Sequence, residues 1–267
     1  MKLDLYHIDA FAERAFEGNP AVVCILDEWL PETIMQAIAA EMNQSETVFV
    51  VQRSDGDYRI RWFTPTIEIP LCGHATLATA YVMYEHLNLP REPIRFHSLS
   101  GPLVAFEEHG RLCLDFPCQD LTATESRHEI EEALGCMPVA VYEGEDLVVL
   151  LSDASEVAIL EPDMSKVKQL PYRGVCVSAP GNGNGFDFVA RFFAPASGID
   201  EDPVTGSAYT KLVPLYAVRL GKTEFVARQV SKRGGTLHLS LQGDRVFISG
   251  TAVTVMHSEM TLPELSV

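Results

Sequence analysis

Two glycine-opened helices about 130 residues apart constrain this chain more than any other feature. From Gly73 the sequence runs GHATLATAYVMYEHLN, and from Gly206 it runs GSAYTKLVPLYAVRLG, where Gly221 supplies a C-terminal stop. Both open on small residues and continue as apolar, helix-forming sequence. Each follows a strand ending in Phe63-Thr64-Pro65 or Phe192-Phe193-Ala194-Pro195, then a short polar loop. The correspondence reads as a weak internal repeat. A period this long points to two similar halves, because solenoids repeat at roughly 20–50 residues.

Around the two helices, alternating or β-branched runs predominate. KLDLYHI, AVVCIL, ETVFVVQ, YRIRWF, LVAFEE and RLCLDF lie in the first half; AVYE, LVVLL, GVCVS, FDFVARFF, TLHLSL and RVFISG lie in the second. Turn formers such as SDGD, GNGNG and QGDR separate them. Further helices are expected over Pro31–Met42, with Pro31 in the first position, and over Ser126–Leu134, where Ser126 and Glu129 have capping-box spacing. The predicted organisation is α+β, with an N-terminal half over residues 1–118, a C-terminal half over 119–255, and a tail from about 256 to 267 that returns to the first half. The acidic stretch Gln119–Glu132 is the candidate link.

A chain of 267 residues with 47% hydrophobic and 21% charged residues is long enough for two packed cores. Its 20 Lys and Arg stand against 37 Asp and Glu, a net charge of −17. Nucleic acid and anionic membranes are therefore excluded as partners, since counterion release needs cationic contacts. No apolar run suits a signal peptide or a membrane span. The six cysteines are dispersed and lack CxxC spacing, as expected of reduced core thiols in the cytoplasm. The eight histidines show no metal-ligand spacing, so no metal and no cofactor are predicted.

Chemistry concentrates at the helix openings. LCGHAT (Leu71–Thr76) and DPVTGSA (Asp202–Ala208) place small residues where unpaired N–H groups and the positive dipole end are exposed. Such ends hold a small carboxylate without any arginine; tight turns and close packing are the alternative role for these glycines. Glu46, in NQSETVFV, stands between a polar turn and a buried strand. A carboxylate partly removed from water there is suited to act as a general base, the other reading being a solvated strand-start glutamate. His74 and Asp202 adjoin the openings, where each is placed to hydrogen-bond a ligand. A helix dipole tends to keep such a histidine neutral. A satisfied turn histidine and a helix-capping aspartate are the plainer readings. GNGNG (181–185) reads as a hairpin loop and QVSKRGG (229–235) as a turn with a solvated edge.

The strings DAFAERAFEGNPAVV, NQSETVF, FTPTIEIPLCGHATLATA, DEDPVTGSA and QVSKRGG, followed by RVFISGTAV, closely resemble the PhzF-like proteins of phenazine biosynthesis, which share a fold with diaminopimelate epimerase. The resemblance implies two pseudosymmetric halves, each a curved, mostly antiparallel sheet around a central helix, with the active site in the cleft between them, and a homodimer. It implies a cofactor-independent isomerase in which Glu46 moves a proton along one face of a small carboxylate-bearing substrate. His74 and Asp202 would position that substrate, and Gly73, Gly206 and Ser207 would bind its carboxylate. Epimerases on this fold use a cysteine at each helix opening. Here Cys72 stands at the first, but the second reads VTGS, which disfavours a racemase or epimerase dependent on Cys72. A non-catalytic protein that holds a small acid is the remaining alternative. The family's frequent histidine after GSA is replaced by Tyr209, and Tyr216-Ala217 replaces an aromatic pair farther along the helix, so substrate identity does not carry over.

Overall fold

A computed structural model describes residues 1–183 and 185–262. The strands are β1 (Lys2–Ala10), β2 (Asn19–Leu26), β3 (Glu46–Gln52), β4 (Tyr58–Phe63), β5 (Glu68–Ile69), β6 (Ile94–Ser98), β7 (Gly101–Glu108), β8 (Arg111–Pro117), β9 (Thr122–Thr124), β10 (Ala140–Glu143), β11 (Leu147–Leu150), β12 (Val175–Pro180), β13 (Phe188–Ala194), β14 (Ile199–Asp202), β15 (Glu224–Gln229), β16 (Gly235–Gln242), β17 (Arg245–Gly250) and β18 (Ala252–Thr261). The helices are α1 (Glu32–Met42), α2 (Gly73–Glu85), α3 (His128–Leu134), α4 (Ala154–Ile159), α5 (Met164–Val167) and α6 (Gly206–Leu220). The fold is α+β. The chain divides into two units, Met1–Asp115 with the segment from Ser249 onward, and Phe116–Ile248.

In the first unit, β1 pairs antiparallel with β2, β2 runs parallel to β3, β3 pairs antiparallel with β4, and β4 pairs antiparallel with β5 and parallel with β6, which pairs antiparallel with β7. In the second unit, β10, β11, β12, β13, β14, β15 and β16 repeat this sequence of antiparallel and parallel pairings in the same order. The internal repeat thus extends to the pairing pattern of seven successive strands in each unit. The return segment is β18, which lies antiparallel to β1 from Lys2↔Thr261 to Ala10↔Ala252. It begins at Ala252, earlier than residue 256. The part of the expected tail at 263–267 lies outside the described residues, as does Asn184 of GNGNG; on either side of that loop β12 and β13 pair as far as Pro180↔Phe188.

The two long helices are the most buried of the fold. In α2, every residue from His74 to Tyr84 except Tyr81 is buried. A helix apolar on all sides must be enclosed, and α2 packs on β1, β2 and β3. Helix α6 buries Ala208, Tyr209, Leu212, Val213 and Tyr216, and Gly221 ends it in the left-handed region at φ 65°. Pro214 sits inside α6, where it cannot donate to the carbonyl of Thr210 one turn back. The backbone N–H of Gln119 donates to that carbonyl instead, at 3.1 Å. The helix therefore tolerates its proline because a neighbouring segment satisfies the released acceptor.

Two helix starts differ from the sequence reading. Pro31 is the N-cap and not the first helical residue. The capping box at Ser126 does not form: α3 starts at His128, with Arg127 at the N-cap and no side-chain cap bond. The proposed link Gln119–Glu132 contains β9 and the start of α3, and the unit boundary lies at Asp115/Phe116.

Gly18 is required by both conformation and space. Its φ is +66°, and a Cβ there would fall 2.1 Å from the carbonyl oxygen of Ala10. Gly18→Ala is expected to destabilise the protein by about 2 kcal/mol or more, measured as a lower denaturant midpoint with unchanged slope.

Candidate active site

The first unit gathers its polar residues where β2 and β3 begin. These strands are parallel neighbours with Ala21 opposite Glu46, so their first residues lie at the same sheet end. Asn19 opens β2, Glu46 opens β3, and α2 begins at Gly73 with Cys72 as N-cap. Cys72 makes no side-chain cap bond, which leaves first-turn N–H groups of an enclosed helix without the usual local acceptor.

His74 lies at the centre of this group. Its Nε2 is 2.9 Å from Glu46 Oε2, and its Nδ1 is 3.2 Å from Asn19 Nδ2 and 3.4 Å from Cys72 Sγ. Ser45 Oγ donates to Asn19 Oδ1 at 3.3 Å. Glu46, Cys72 and His74 are only 6%, 7% and 5% exposed, so the solvated strand-start reading of Glu46 does not apply. The 2.9 Å contact joins Glu46 and His74 as a buried hydrogen-bonded pair.

Burial alone would lower the pKa of His74, but the neighbouring Cys72 and Glu46 outweigh it and hold the imidazolium well above the ordinary histidine range. Burial, reinforced by Glu46, pushes the Cys72 thiol up to about 11. The sequence expectation of a neutral His74 rests on the helix dipole; Cys72 and Glu46 in contact act in the opposite direction. The structure places Asn19 Nδ2 against Nδ1; an imidazolium, which donates from both nitrogens, would require the opposite orientation of that amide. The shape-equivalent flipped amide satisfies that need.

The second unit fills the matching place differently. Asp146 directly precedes β11 and Arg173 lies just before β12, again a parallel pair. Arg173 donates from Nε and Nη2 to the two Asp146 carboxylate oxygens at 2.9 and 2.7 Å, and from Nη2 to Ser207 Oγ at 3.0 Å. Lys211, one turn into α6 and fully enclosed, donates to the same aspartate. The expectation of a carboxylate site without arginine fails here, since a guanidinium touches Ser207.

Asp202 does not cap α6; Thr205 is the N-cap, and it makes no side-chain cap bond. Instead Thr205 Oγ1 donates to Asp202 Oδ2 at 2.5 Å. Buried Gln229 accepts from the Thr205 N–H at 2.9 Å and donates to the Asp202 carbonyl at 2.7 Å. QVSKRGG is thus more than a solvated turn: its first residue supports Asp202, and Ser231 Oγ donates to the Pro203 carbonyl at 2.8 Å.

Glu46 and His74 are brought together in the first unit, and Asp202 and Ser207 flank the start of α6 in the second. Asn19, Asp146, Arg173, Lys211 and Gln229 were not singled out by the sequence reading. Asn19 and Gln229 carried a signal, since both lie in motif strings; Asp146 and Arg173 sit in ordinary polar turns and carried none.

A profile of the family described as phenazine biosynthesis-like protein matches residues 8–258. A Pseudomonas aeruginosa protein named an uncharacterized isomerase is 49% identical over 98% of this chain and all of that protein. The crystal structure of a PhzF-family protein from Enterococcus faecalis superposes with a TM-score of 0.95 at 44% identity, over 98% of this chain and all of that one. A hydroxyproline epimerase from Agrobacterium vitis shares the fold at a TM-score of 0.58 and 12% identity, over 97% of this chain and 92% of that one. Fold and relatives define an isomerase with the epimerase-like architecture. More specifically, the chain belongs to the PhzF-like, phenazine biosynthesis-like family. Among the described residues, no helix is long and apolar enough to cross a membrane.

Two predictions follow from these clusters. Because His74 has a raised folded-state pKa, its pairing contributes stability that is fully present below the unfolded value of about 6.5 and is lost as pH rises through the folded value. The stability difference between wild type and His74→Asn, measured by chemical denaturation, is expected to be largest near pH 6 and to shrink in alkaline buffer. Lys211→Ala leaves Asp146 buried with one cation fewer and is expected to cost about 3–5 kcal/mol, read from the same denaturation curves.

Proposed function

We propose that this protein shifts a proton on a small carboxylate-bearing substrate without a cofactor, with Glu46 as both acid and base. The observation that carries this reading is the buried pair of Glu46 and His74, with Glu46 Oε2 2.9 Å from His74 Nε2. In the first step the C–H bond breaks, a Glu46 O–H bond forms, and the electron pair enters the conjugated system of the substrate. Glu46 then returns the proton to another carbon on the same face. His74 remains protonated beside the developing enolate-like charge and stabilises it. Asp202, Gly73, Gly206 and Ser207 take the substrate-positioning and carboxylate-binding roles that the family resemblance implies.

Cys72 is a poor candidate for the base, because burial pushes its thiol up to about 11. Two-base inversion also needs a proton donor on the opposite face, and the second helix opening carries Ser207 where the epimerases have a thiol. A same-face shift needs only Glu46. The substrate is therefore expected among acids with an activated C–H or a diene.

The test incubates the enzyme in D2O with a panel of β,γ-unsaturated and cyclic diene carboxylic acids and follows deuterium incorporation by mass spectrometry. Glu46→Gln is expected to slow exchange by about 10²–10⁴-fold. Exchange at the wild-type rate in the variant would remove Glu46 from the mechanism.

A further inference from the structure

We infer that Glu46, Cys72 and His74 also form a three-ligand site for a zinc-type divalent cation, which inhibits the enzyme when bound. Each residue offers one ligand atom, and these atoms lie within 4.8 Å of one another. His74 Nε2 is 4.0 Å from Cys72 Sγ and 2.9 Å from Glu46 Oε2. Ligands bound at about 2.0–2.3 Å around a tetrahedral zinc stand roughly 3.4–3.6 Å apart, so the observed separations bracket the required one. The third pair, Cys72 and Glu46, lies within 4.8 Å, so seating the ion draws these side chains together by up to about one ångström.

Three further observations favour a cation of this class. The donor set is one sulfur, one nitrogen and one oxygen, which zinc accepts and which oxygen-seeking magnesium and calcium do not. Thiolate and carboxylate together cancel the charge of a divalent ion, so the loaded cluster is neutral in its buried setting. The Glu46 oxygen is enclosed and already faces His74 Nε2 at 2.9 Å, so an ion seated between them would take the place of one ring proton. An outer shell is already present: Asn19 contacts the other ring nitrogen, and Ser45 holds Asn19. Such contacts orient a ligating histidine. Three protein ligands leave a fourth position for water or an anion.

Binding does not depend on the proposed reaction, whereas inhibition rests on it, because a cation on Glu46 removes the base. The test titrates cobalt(II) into the metal-stripped full-length protein. The expected result is a thiolate-to-cobalt charge-transfer band with intense tetrahedral d–d absorption, saturating at one equivalent and displaced by zinc. Cys72→Ser is expected to lose the band and at least about 100-fold in affinity, while Asn19→Ala keeps the band and loses about 10–100-fold. X-ray absorption of the zinc-loaded wild type, which needs no variant, should show one sulfur and the remainder nitrogen and oxygen. Absence of the band in wild type, wild-type affinity in Cys72→Ser, or a sulfur count other than one overturns the inference. D2O exchange without cobalt binding would sink this site alone, and cobalt binding without exchange would sink only the isomerase reading and the inhibition that rests on it.

Discussion

Helix α2 is enclosed along nearly its whole length and α6 over its first three turns, and both begin without a side-chain cap. That constraint organises the rest of the structure. The first-turn N–H groups and the positive dipole end cannot be left among apolar side chains, because an unpaired buried polar group costs roughly 1–3 kcal/mol. In each unit the sheet places polar residues at one end of its central helix. In both units the parallel strand pair delivers them: Asn19 and Glu46 at the starts of β2 and β3, Asp146 and Arg173 just before β11 and β12.

One topology thus carries two different chemistries. In the first unit the place is occupied by a carboxylate and an imidazole with little solvent, an arrangement suited to holding and moving a proton. In the second unit it is occupied by a buried aspartate shared by Arg173 and Lys211, with the guanidinium turned onto Ser207. A bidentate arginine is a rigid, permanently charged donor, so this end is suited to orienting an anion and not to exchanging a proton. The two units thus carry different side chains at matching places in their strand order.

Much of the architecture was legible in the chain. The stronger strands were readable because alternation of apolar residues reports a half-buried sheet face, and the two long helices because glycine, small residues and Gly221 punctuate them. β6 and β15, which follow the two central helices, escaped notice for the same reason in each unit. IRFHS and EFVARQ mix charged or polar residues into short runs, and their pairing to β4 and β13 comes from across the unit. Ser126 shows the reverse error: the capping-box letters are present, but α3 starts two residues later. Pro214 in α6 depends on Gln119 for its missing hydrogen bond, a partner far away in sequence.

By itself, the sequence determined the twofold repeat, the α+β class, the two helix openings, and Glu46, His74, Asp202 and Ser207 as the residues to watch. These signals are local, since periodicity, glycine placement and short motifs are properties of neighbouring residues. Only the tertiary structure decided that Glu46 is buried, that it contacts His74, that Asn19 and Cys72 complete that cluster, and that Arg173 and Lys211 occupy the matching place in the second unit. Protonation and ligand geometry depend on distances of a few ångströms between groups far apart in the chain, and on how much water is excluded from them. No short window of sequence contains either quantity.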